Sequence, residues 1–364
     1  MKGSVLHYFA EGNTARGYAN LYETNVFDLQ KLLIIKGGSK SLKSNLMSKI
    51  GIYYENRGYS LHYIHCPMDH RLIDGIIIEE LAAGVVDGHG MQMVESRISR
   101  KVKRYLNLDH MYTMTNEKVR MEQLTLQMMK LKQEAYQWYE KALLVHDEWE
   151  AIFIDNMDFE KANGLTEELL ARFFVDASDV GRGKVYRRFL GAATPIGAVD
   201  YVPALTEGLS KRFFIKGRPG SGKSTMLKRI AIEAELKGYD VEVYHCGLDP
   251  HSLDMVIVRE LNFAIFDSTA PHEYFPEKEG DEIIDVYDRC IEPRTDEDYA
   301  GDIAHIVQRY REKMKNGTAA LAQAKKFHEE LEQLYETRLD STKVEDVEKR
   351  IESFIEDARS SLGA

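Results

Sequence analysis

The feature of this 364-residue chain that most constrains its fold is an internal repeat at a distance of 180 residues. Residues 34–45, IIKGGSKSLKSN, align without a gap with residues 214–225, FIKGRPGSGKST. About a third of the positions between residues 31 and 90 are identical to their counterparts. The similarity fades beyond residue 90 and returns at an offset of 182, where LLVHDEWEAIF (143–153) matches KKFHEELEQLY (325–335). A repeat of this length predicts two related domains that arose by internal duplication.

The order of elements in each half is typical of an α/β domain. In the second half, RFFIKG (212–217), DVEVYHC (240–246) and FAIFD (263–267) predict strands, and residues 223–237 have the apolar spacing of a helix. We expect a further helix from Pro250 to about Leu261. Alternating strands and helices favour a parallel, Rossmann-like three-layer sheet, with ligands bound beyond the carboxyl ends of its strands.

Each half ends in a long, charged, glycine-poor segment that predicts amphipathic helices, at 116–174 and at 298–360. The predicted domains are therefore residues 1–179 and residues 180–364. Their junction falls in DASDVGRGK, a loop-forming stretch.

The second half contains a complete phosphate-binding motif between a predicted strand and a predicted helix. GRPGSGKS satisfies G-x-x-x-x-G-K-[ST], the P-loop pattern, whose glycines let successive backbone amides point at phosphate oxygens. Lys223 is expected to reach the β and γ phosphates, and Ser224 to offer its hydroxyl to Mg²⁺. The predicted nucleotide-binding residues are Gly217, Arg218, Pro219, Gly220, Ser221, Gly222, Lys223, Ser224 and Thr225.

A P-loop also needs a carboxylate that holds the metal, usually at the end of an apolar strand. Asp267 ends FAIFD and is the predicted second Mg²⁺ ligand, so Lys223 and Asp267 are the predicted catalytic residues. The guanine-specific element N/T-K-x-D has only the imperfect match TKVE at 342–345, within a predicted helical region. ATP is therefore favoured over GTP.

The first loop departs from the motif at the positions that matter most. Leu42 stands where the second loop has Gly222, and Lys40 stands where it has Gly220. A side chain at these positions blocks close approach of phosphate and disfavours positive φ. The degenerate site keeps four matching residues, which are Gly37, Lys43, Ser44 and Asp87. We expect it to bind nucleotide poorly or not at all.

Several polar residues near the predicted strand ends have two interpretations. His245 either packs at its strand end or contacts substrate, and Asp249 before Pro250 is expected to cap a helix. His272, downstream of Asp267, either belongs to an acidic loop or positions an acceptor. Four further acidic residues fall on predicted helices, where solvent exposure or local pairing is expected rather than a role as general base: Asp74, Glu80, Asp254 and Glu260. Four arginines are candidates for an arginine finger: Arg187, Arg188, Arg294 and Arg309.

Composition excludes several classes of function. The formal net charge of −11 argues against a general nucleic-acid binder, which draws phosphate affinity from a basic surface. Cys66, Cys246 and Cys290 match neither a zinc pattern nor a disulfide framework. No apolar run approaches the roughly 18 residues needed to span a bilayer, and the N-terminus resembles no signal peptide, so a cytoplasmic location without membrane contact is expected.

Three runs of the second half carry a resemblance to a known family: FIKGRPGSGKSTMLKRIA, VEVYHCGLDPHSLDMVIVREL and AIFDSTAPHEYFP. They resemble bacterial two-domain P-loop proteins described only as ATPases or nucleotide-kinase-like proteins. The resemblance covers nearly the whole chain and implies ATP binding through Lys223 and Ser224. It supplies no substrate. The chain departs from that family in the first half, at SKSLKS (39–44) and at GHGMQM (88–93).

The leading hypothesis is an ATP- and Mg²⁺-dependent P-loop enzyme with a catalytic second domain and a regulatory or structural first domain. The phosphoryl acceptor is either water, as in an ATPase, or a small molecule, as in a kinase. The rival hypothesis is a nucleotide-dependent switch that acts on a protein partner with little turnover. A third hypothesis, nucleic-acid processing, is weakened by the acidic charge.

Overall fold

The computed structural model describes residues 3–99, 101–113, 117–175 and 181–362. It contains two six-stranded mixed sheets with helices, so the prediction of an α/β architecture in two parts is confirmed. The strands of the first half are β1 (Val5–Tyr8), β2 (Glu11–Thr14), β3 (Gly17–Asn20), β4 (Lys31–Lys36), β5 (Leu61–Cys66), β6 (Asp69–Ile78), β7 (Ala83–Asp87) and β8 (Lys103–Asn107). Its helices are α1 (Tyr22–Val26), α2 (Lys40–Glu55), α3 (Gly88–Met91), α4 (Lys118–Asp155) and α5 (Phe159–Phe173).

The second half repeats this order of strands and central helices. Its strands are β9 (Val185–Phe189), β10 (Gly191–Thr194), β11 (Gly197–Asp200), β12 (Lys211–Lys216), β13 (Val241–His245), β14 (Leu253–Val258), β15 (Phe263–Asp267) and β16 (Asp281–Asp285). Its helices are α6 (Val202–Thr206), α7 (Lys223–Leu236), α8 (Val286–Cys290), α9 (Thr295–Asp298), α10 (Ala300–Glu336) and α11 (Val344–Leu362).

The two large sheets have the same strand order. The first is ordered β1-β5-β6-β7-β4-β8, and the second is ordered β9-β13-β14-β15-β12-β16 when written from its β9 edge. β6 and β14 run antiparallel to both of their neighbours, while the remaining pairs are parallel. Two small hairpins, β2-β3 and β10-β11, stand apart from the sheets.

The expectation of a wholly parallel sheet was wrong, because the predicted helix at 250–261 is the strand β14. Met255, Val256, Ile257 and Val258 are fully buried between two neighbouring strands. β-branched residues fit such a pleated position better than a helix. Pro250 therefore begins no helix, and Asp249 is not a helix cap. Asp74 and Asp254 lie on strands, whereas Glu80 and Glu260 lie on exposed 3₁₀ turns, at Glu79–Leu81 and Arg259–Leu261.

The apolar core forms three layers. One face of each sheet is turned toward the other sheet, and residues such as Ile34 and Phe214 share one cluster there with α1 and α6. The outer face of the first sheet is covered by α2 and α11, and the outer face of the second sheet by α7 and α5. The two loops begin at the carboxyl ends of β4 and β12. The helices α4 and α10 lie at these ends.

The helical segments cross from one half to the other. α5 belongs to residues 1–179 by number, yet Leu165 and Leu169 are buried on the second sheet. α11 lies near the end of the chain, yet Val347, Ile351 and Ile355 are buried on the first sheet. α4 and α10 pack along each other, with Ala135 and Tyr139 buried against α10. The junction proposed near residue 180 falls on 176–180, outside the described residues, so the domain boundary stays a prediction.

Among the described residues, none of the helices combines the length and the apolar character needed to cross a bilayer.

Candidate functional site

The second loop, residues 217–222, connects β12 to α7 and has the backbone shape that its glycines allow. Gly220 and Gly222 have φ of 76° and 82°, in the left-handed region that favours glycine. The Ser221 hydroxyl donates to the Arg218 carbonyl at 2.7 Å and accepts from the Arg218 amide at 3.2 Å. Arg218 is held in turn by Asp296, at 2.6 Å. The loop is therefore ordered by its own side chains.

Lys223, Ser224 and Asp267 meet at the end of this loop, as the sequence predicts. The Lys223 ammonium donates to the Arg218 carbonyl at 2.7 Å and lies 3.5 Å from the Asp267 carboxylate. The Ser224 hydroxyl accepts from the amide of Leu253 at 3.0 Å. The other Asp267 oxygen accepts from the amide and hydroxyl of Thr269. Two oxygen ligands of the kind that Mg²⁺ prefers are thus fixed beside a cation that contacts phosphate in known loops of this pattern.

A cavity of about 810 Å³ opens over this loop. All nine predicted nucleotide-binding residues, 217–225, line it together with Asp267. Trp149 and Tyr310, on α4 and α10, form part of the facing wall. The volume lies within the range of sites for small ligands and cofactors. The cavity is therefore shared between the second sheet and the paired long helices.

The first half closes this site through Glu150 on α4. The Gly220 amide near the Glu150 carboxylate favours its charged form, but burial outweighs this and raises the pKa of Glu150. A Cβ on Gly220 would overlap the carbonyl oxygen of Glu150, so glycine is required for the close approach of α4. The backbone of Glu150 thus lies directly against the loop that the sequence assigns to phosphate. No single segment of the sequence indicated this contact.

The side chains of His146, Asp147 and Glu150 form a second group of metal-type ligands on the same turn of α4. Their ligand atoms lie within 4.8 Å of one another. Asp147 is exposed, and the backbone of Glu150 lies against Gly220 of the loop.

His272 lines the cavity and is paired with Asp200, a partner that the sequence analysis missed. Its Nδ1 lies 2.6 Å from the carboxylate of Asp200, and the Tyr274 hydroxyl donates to the same carboxylate at 2.6 Å. Burial alone would lower the pKa of His272, but the pairing with Asp200 outweighs it and raises that pKa above its ordinary value. At the same offset of 180 the first half has Asn20 and Gln92, neither of which has a titratable side chain.

His245 does not belong to the group formed by His272, Asp200 and Tyr274. Its Nδ1 donates to the carbonyl of Pro250 at 2.7 Å, and its Nε2 lies 3.4 Å from Arg187. Burial lowers the pKa of His245 to about 4, so the ring is neutral. Within the described residues, the neighbouring Cys246 and Asp249 line the cavity and His245 does not. Asp249 accepts from the guanidinium of Arg16 at 2.7 Å.

Asp254 lies inside the cavity, although the sequence predicted an exposed helical position. It is the extra residue of a β-bulge, because Tyr244 pairs with Met255 while His245 pairs with Leu253. The register of β14 against β15 ends with Met255 and Phe266, and Asp254 and Asp267 are the next residues of the two strands, close enough for the Asp267 charge to act on Asp254. Burial and the Asp267 charge raise the pKa of Asp254 to about 6.

The first loop has a different backbone from the second. α2 begins at Lys40, whereas α7 begins at Lys223, which corresponds to residue 43. Ser39 caps α2 by accepting from the amide of Leu42 at 3.1 Å, and Leu42 is buried in the core. Positive φ occurs at Gly37 and Gly38, at 69° and 66°, and not at the positions that correspond to Gly220 and Gly222. Helix therefore replaces the part of the loop that would enclose phosphate.

Lysines of the first loop neutralise the carboxylates there. Lys43 contacts Asp87 at 2.8 Å, and the Lys40 ammonium contacts both Asp87, at 2.9 Å, and Asp74. Burial alone would lower the pKa of Lys40, but the two carboxylates outweigh it and raise that pKa well above its ordinary value. Ser44 keeps the contact of Ser224, since its hydroxyl accepts from the amide of Ile73 at 2.8 Å.

Glu332 on α10 occupies the N-terminus of α2. Its two carboxylate oxygens accept from the amides of Lys40 and Ser41, at 2.8 and 2.7 Å. Glu332 and Glu150 correspond to each other at the offset of 182. Each long helix therefore places the same glutamate against the loop of the opposite half. Helix N-termini bind anions, and here the anion is supplied by the protein.

The four arginines that the sequence offered as candidate arginine fingers do not line the cavity, and each of them has another contact. Arg188 is buried with Glu242 at 2.8 Å, Arg187 meets His245, Arg294 pairs with Asp298, and Arg309 pairs with Glu148. The arginines that line the cavity are Arg218 and Arg229.

Comparison of the chain with protein-family models, with curated proteins and with solved structures found no match.

Proposed function

We propose that the chain binds ATP with Mg²⁺ at the second loop and transfers the γ-phosphoryl group to water or to a small-molecule acceptor. In this proposal both halves are P-loop domains related by internal duplication, and only the second binds nucleotide. The observation that carries the proposal is the second loop itself. Gly220 and Gly222 take left-handed conformations, and Lys223 lies beside Asp267 under a cavity large enough for a nucleotide.

The residues present fit a magnesium ion. Ser224 and Asp267 offer hard oxygen ligands at the end of the loop, and bound Mg²⁺ would neutralise charge that develops on the phosphates. Lys223 would hold the phosphate oxygens by charge, and the loop amides would orient them. The paired His272 and Asp200 would orient an acceptor or a water molecule from the opposite wall of the cavity.

The first loop is proposed to bind no nucleotide. Its helix begins three residues too early, and Lys40 and Glu332 already satisfy the groups that a nucleotide would contact. Binding there would require both side chains to leave buried contacts.

The alternative function, a nucleotide-dependent switch acting on a protein partner, is favoured by the contact of Glu150 with Gly220. A phosphate that takes the Gly220 amide would displace Glu150 and with it the end of α4. Nucleotide binding would then move a helix that belongs to the first half. Slow hydrolysis combined with a large ATP-dependent change in partner binding would distinguish the switch from an enzyme.

The test is ATP binding by calorimetry, together with phosphate release, for the wild type, Lys223→Ala and Lys43→Ala with Mg²⁺. The proposal expects loss of binding in Lys223→Ala and wild-type binding in Lys43→Ala. Equal losses would show two working sites, and no ATP binding by the wild type would refute the nucleotide function. Phosphate release without an added acceptor separates an ATPase from a kinase.

A further inference from the structure

Two aspartates on the bulged strands occupy equivalent positions in the two halves. Asp74 is the extra residue of the bulge in β6, as Asp254 is in β14. Along the antiparallel register, Asp74 and Asp87 are the residues that follow the last pair in the first half, and Asp254 and Asp267 are those that follow it in the second. Bulges next to active sites commonly redirect a side chain. Here they direct a second carboxylate toward the first in both halves.

In the first half, the protein itself places a cation between these two carboxylates. The Lys40 ammonium binds one oxygen of Asp74 and one of Asp87, and both aspartates are almost completely buried. Like charges directly opposite each other on neighbouring strands destabilise a sheet, and buried charges need partners. Lys40 removes this repulsion.

In the second half, the same pair of carboxylates lacks such a lysine. Gly220 corresponds to Lys40, so there is no side chain that could reach between Asp254 and Asp267 from that position. Lys223 approaches only Asp267, at 3.5 Å, and it donates its closer hydrogen bond to the Arg218 carbonyl. The Cys246 thiol beside Asp254 is neutral, and burial raises the pKa of this thiol well above its ordinary value. His272 is already paired with Asp200.

We propose that Asp254 and Asp267 together bind one divalent cation, at the position that the Lys40 ammonium occupies in the first half. The Ser224 hydroxyl lies at the same end of the loop and is the third protein ligand. This inference rests on the proposed function for the role of the cation, which would also contact the phosphates of ATP. It adds Asp254 to the ligands that the loop motif indicates.

A divalent cation fits this site better than a monovalent one. Two carboxylates and a hydroxyl are hard oxygen ligands with a combined charge of −2, which Mg²⁺ or Mn²⁺ neutralises. The remaining coordination positions face the cavity, where water and phosphate oxygens complete the set. In the first half a single ammonium suffices for Asp74 and Asp87, because Lys43 contacts Asp87 as well.

The experiment is titration of the purified full-length protein with Mn²⁺ in the absence of nucleotide, followed by electron paramagnetic resonance of free Mn²⁺. The wild type is expected to bind one Mn²⁺ that Mg²⁺ displaces. Asp254→Asn and Asp267→Asn should each weaken this binding by about tenfold or more, in line with losses seen when metal sites are altered. Asp147→Asn is the matched control, because it removes a cavity carboxylate from the other ligand group.

Lys40→Ala provides a variant whose result misfolding cannot imitate. Removal of the ammonium leaves Asp74 and Asp87 without a shared cation, so the number of bound Mn²⁺ ions should rise from one to two. A stoichiometry that stays at one would overturn the equivalence between Lys40 and the cation.

The remaining outcomes also test the cation site. Wild-type Mn²⁺ affinity in Asp254→Asn, or loss of binding in Asp147→Asn, would overturn the assignment. ATP binding without Mn²⁺ binding would refute the cation site and leave the nucleotide function standing. Mn²⁺ binding without ATP binding would support the site and refute the nucleotide function.

Discussion

At the scale of single residues, the two loops differ in how their charges are matched. Around the first loop, lysines and carboxylates are paired within the protein, and the same region includes Lys132 and Glu11. Met314 corresponds to Lys132, and Gly220 to Lys40, so the second loop lacks both of these cations. These two replacements leave the second loop with fewer cations to pair with its carboxylates than the first.

One prediction concerns the buried ion pair of Arg188. Glu242 binds Arg188 at 2.8 Å and Arg259 at 2.6 Å, and Tyr244 donates to it as well. Glu242→Gln would leave a buried guanidinium without a charge partner, so we expect the free energy of unfolding to fall by about 3–5 kcal/mol. Urea denaturation measures this loss. Glu207→Gln, at an exposed glutamate, is the control and should change stability by less than about 0.5 kcal/mol.

The pair of His272 and Asp200 predicts a pH-dependent contribution to stability. The pKa of His272 is raised in the folded protein, so this contribution is complete below the unfolded pKa of about 6.5 and is lost as pH rises through the folded pKa. Asp200→Asn should therefore destabilise the protein more at pH 6 than at pH 9. Tyr274→Phe removes a hydrogen bond to the same carboxylate without a titrating group.

The measurement is the unfolding free energy of both variants at the two pH values. A deficit of Asp200→Asn that is equal at pH 6 and pH 9 would show that His272 is neutral. The deficit of Tyr274→Phe should be the same at both values.

At the scale of elements, the sequence predicted the strands and helices around the second loop to within a residue or two. β12, α7 and β15 lie at or next to the predicted positions because their apolar runs are bounded by glycine and aspartate. β14 was missed because Pro250 and its neighbours match the start of a helix, and burial between two strands outweighs that local signal. The helical period assigned to residues 250–261 also led to the expectation that Asp254 is exposed, whereas Asp254 lines the cavity.

The packing of α4 on α10 predicts opposite effects for two glycines of the same helix. A Cβ on Gly317 would overlap the ring of Tyr139, while a Cβ on Gly301 meets no atom within 4 Å. Gly317→Ala should therefore destabilise the protein by about 1–3 kcal/mol through overpacking. Gly301→Ala should be neutral or stabilising by up to about 1 kcal/mol, since alanine favours helix.

Thermal unfolding of both variants measures these effects. Stabilisation of both to a similar extent would show that helix propensity dominates and that the long helices do not pack as closely as described.

The contacts of Glu150 and Glu332 with the loops were beyond prediction from local sequence. Glu332 reaches the amide of Lys40 from 292 residues away, and no periodicity encodes a distance of that kind. The repeat did contain a signal, because His146 and Glu150 recur as His328 and Glu332 at the offset of 182. A polar pair preserved within otherwise divergent helices indicates a shared contact, although its partner stays unknown until the helices are placed.

At the scale of the whole molecule, the two halves exchange elements. α4 and α5 complete the second site and the second core, while α10 and α11 do the same for the first. Each loop is therefore in direct contact with a long helix of the opposite half. This arrangement gives the first half a role even if it binds no nucleotide, since it supplies Glu150 and Trp149 to the cavity.

The exchange predicts that neither half is stable alone. A fragment of residues 1–179 loses Val347, Ile351 and Ile355 of α11, which are buried on its sheet. Each such side chain contributes roughly 1.5–3 kcal/mol when buried, so the three together approach the whole stability of a typical domain, about 5–15 kcal/mol. A fragment of residues 181–364 loses Leu165 and Leu169 in the same way.

We therefore expect each separate fragment to bind a hydrophobic dye and to unfold without a sharp transition, and the mixed fragments to regain one cooperative transition. The control is the intact chain with a protease site placed within residues 176–180 and then cleaved. Its two pieces should remain associated, because cleavage leaves α5 packed on the second sheet and α11 packed on the first. Two fragments that unfold cooperatively on their own and do not associate would show that each sheet is stable without the helices of the other half.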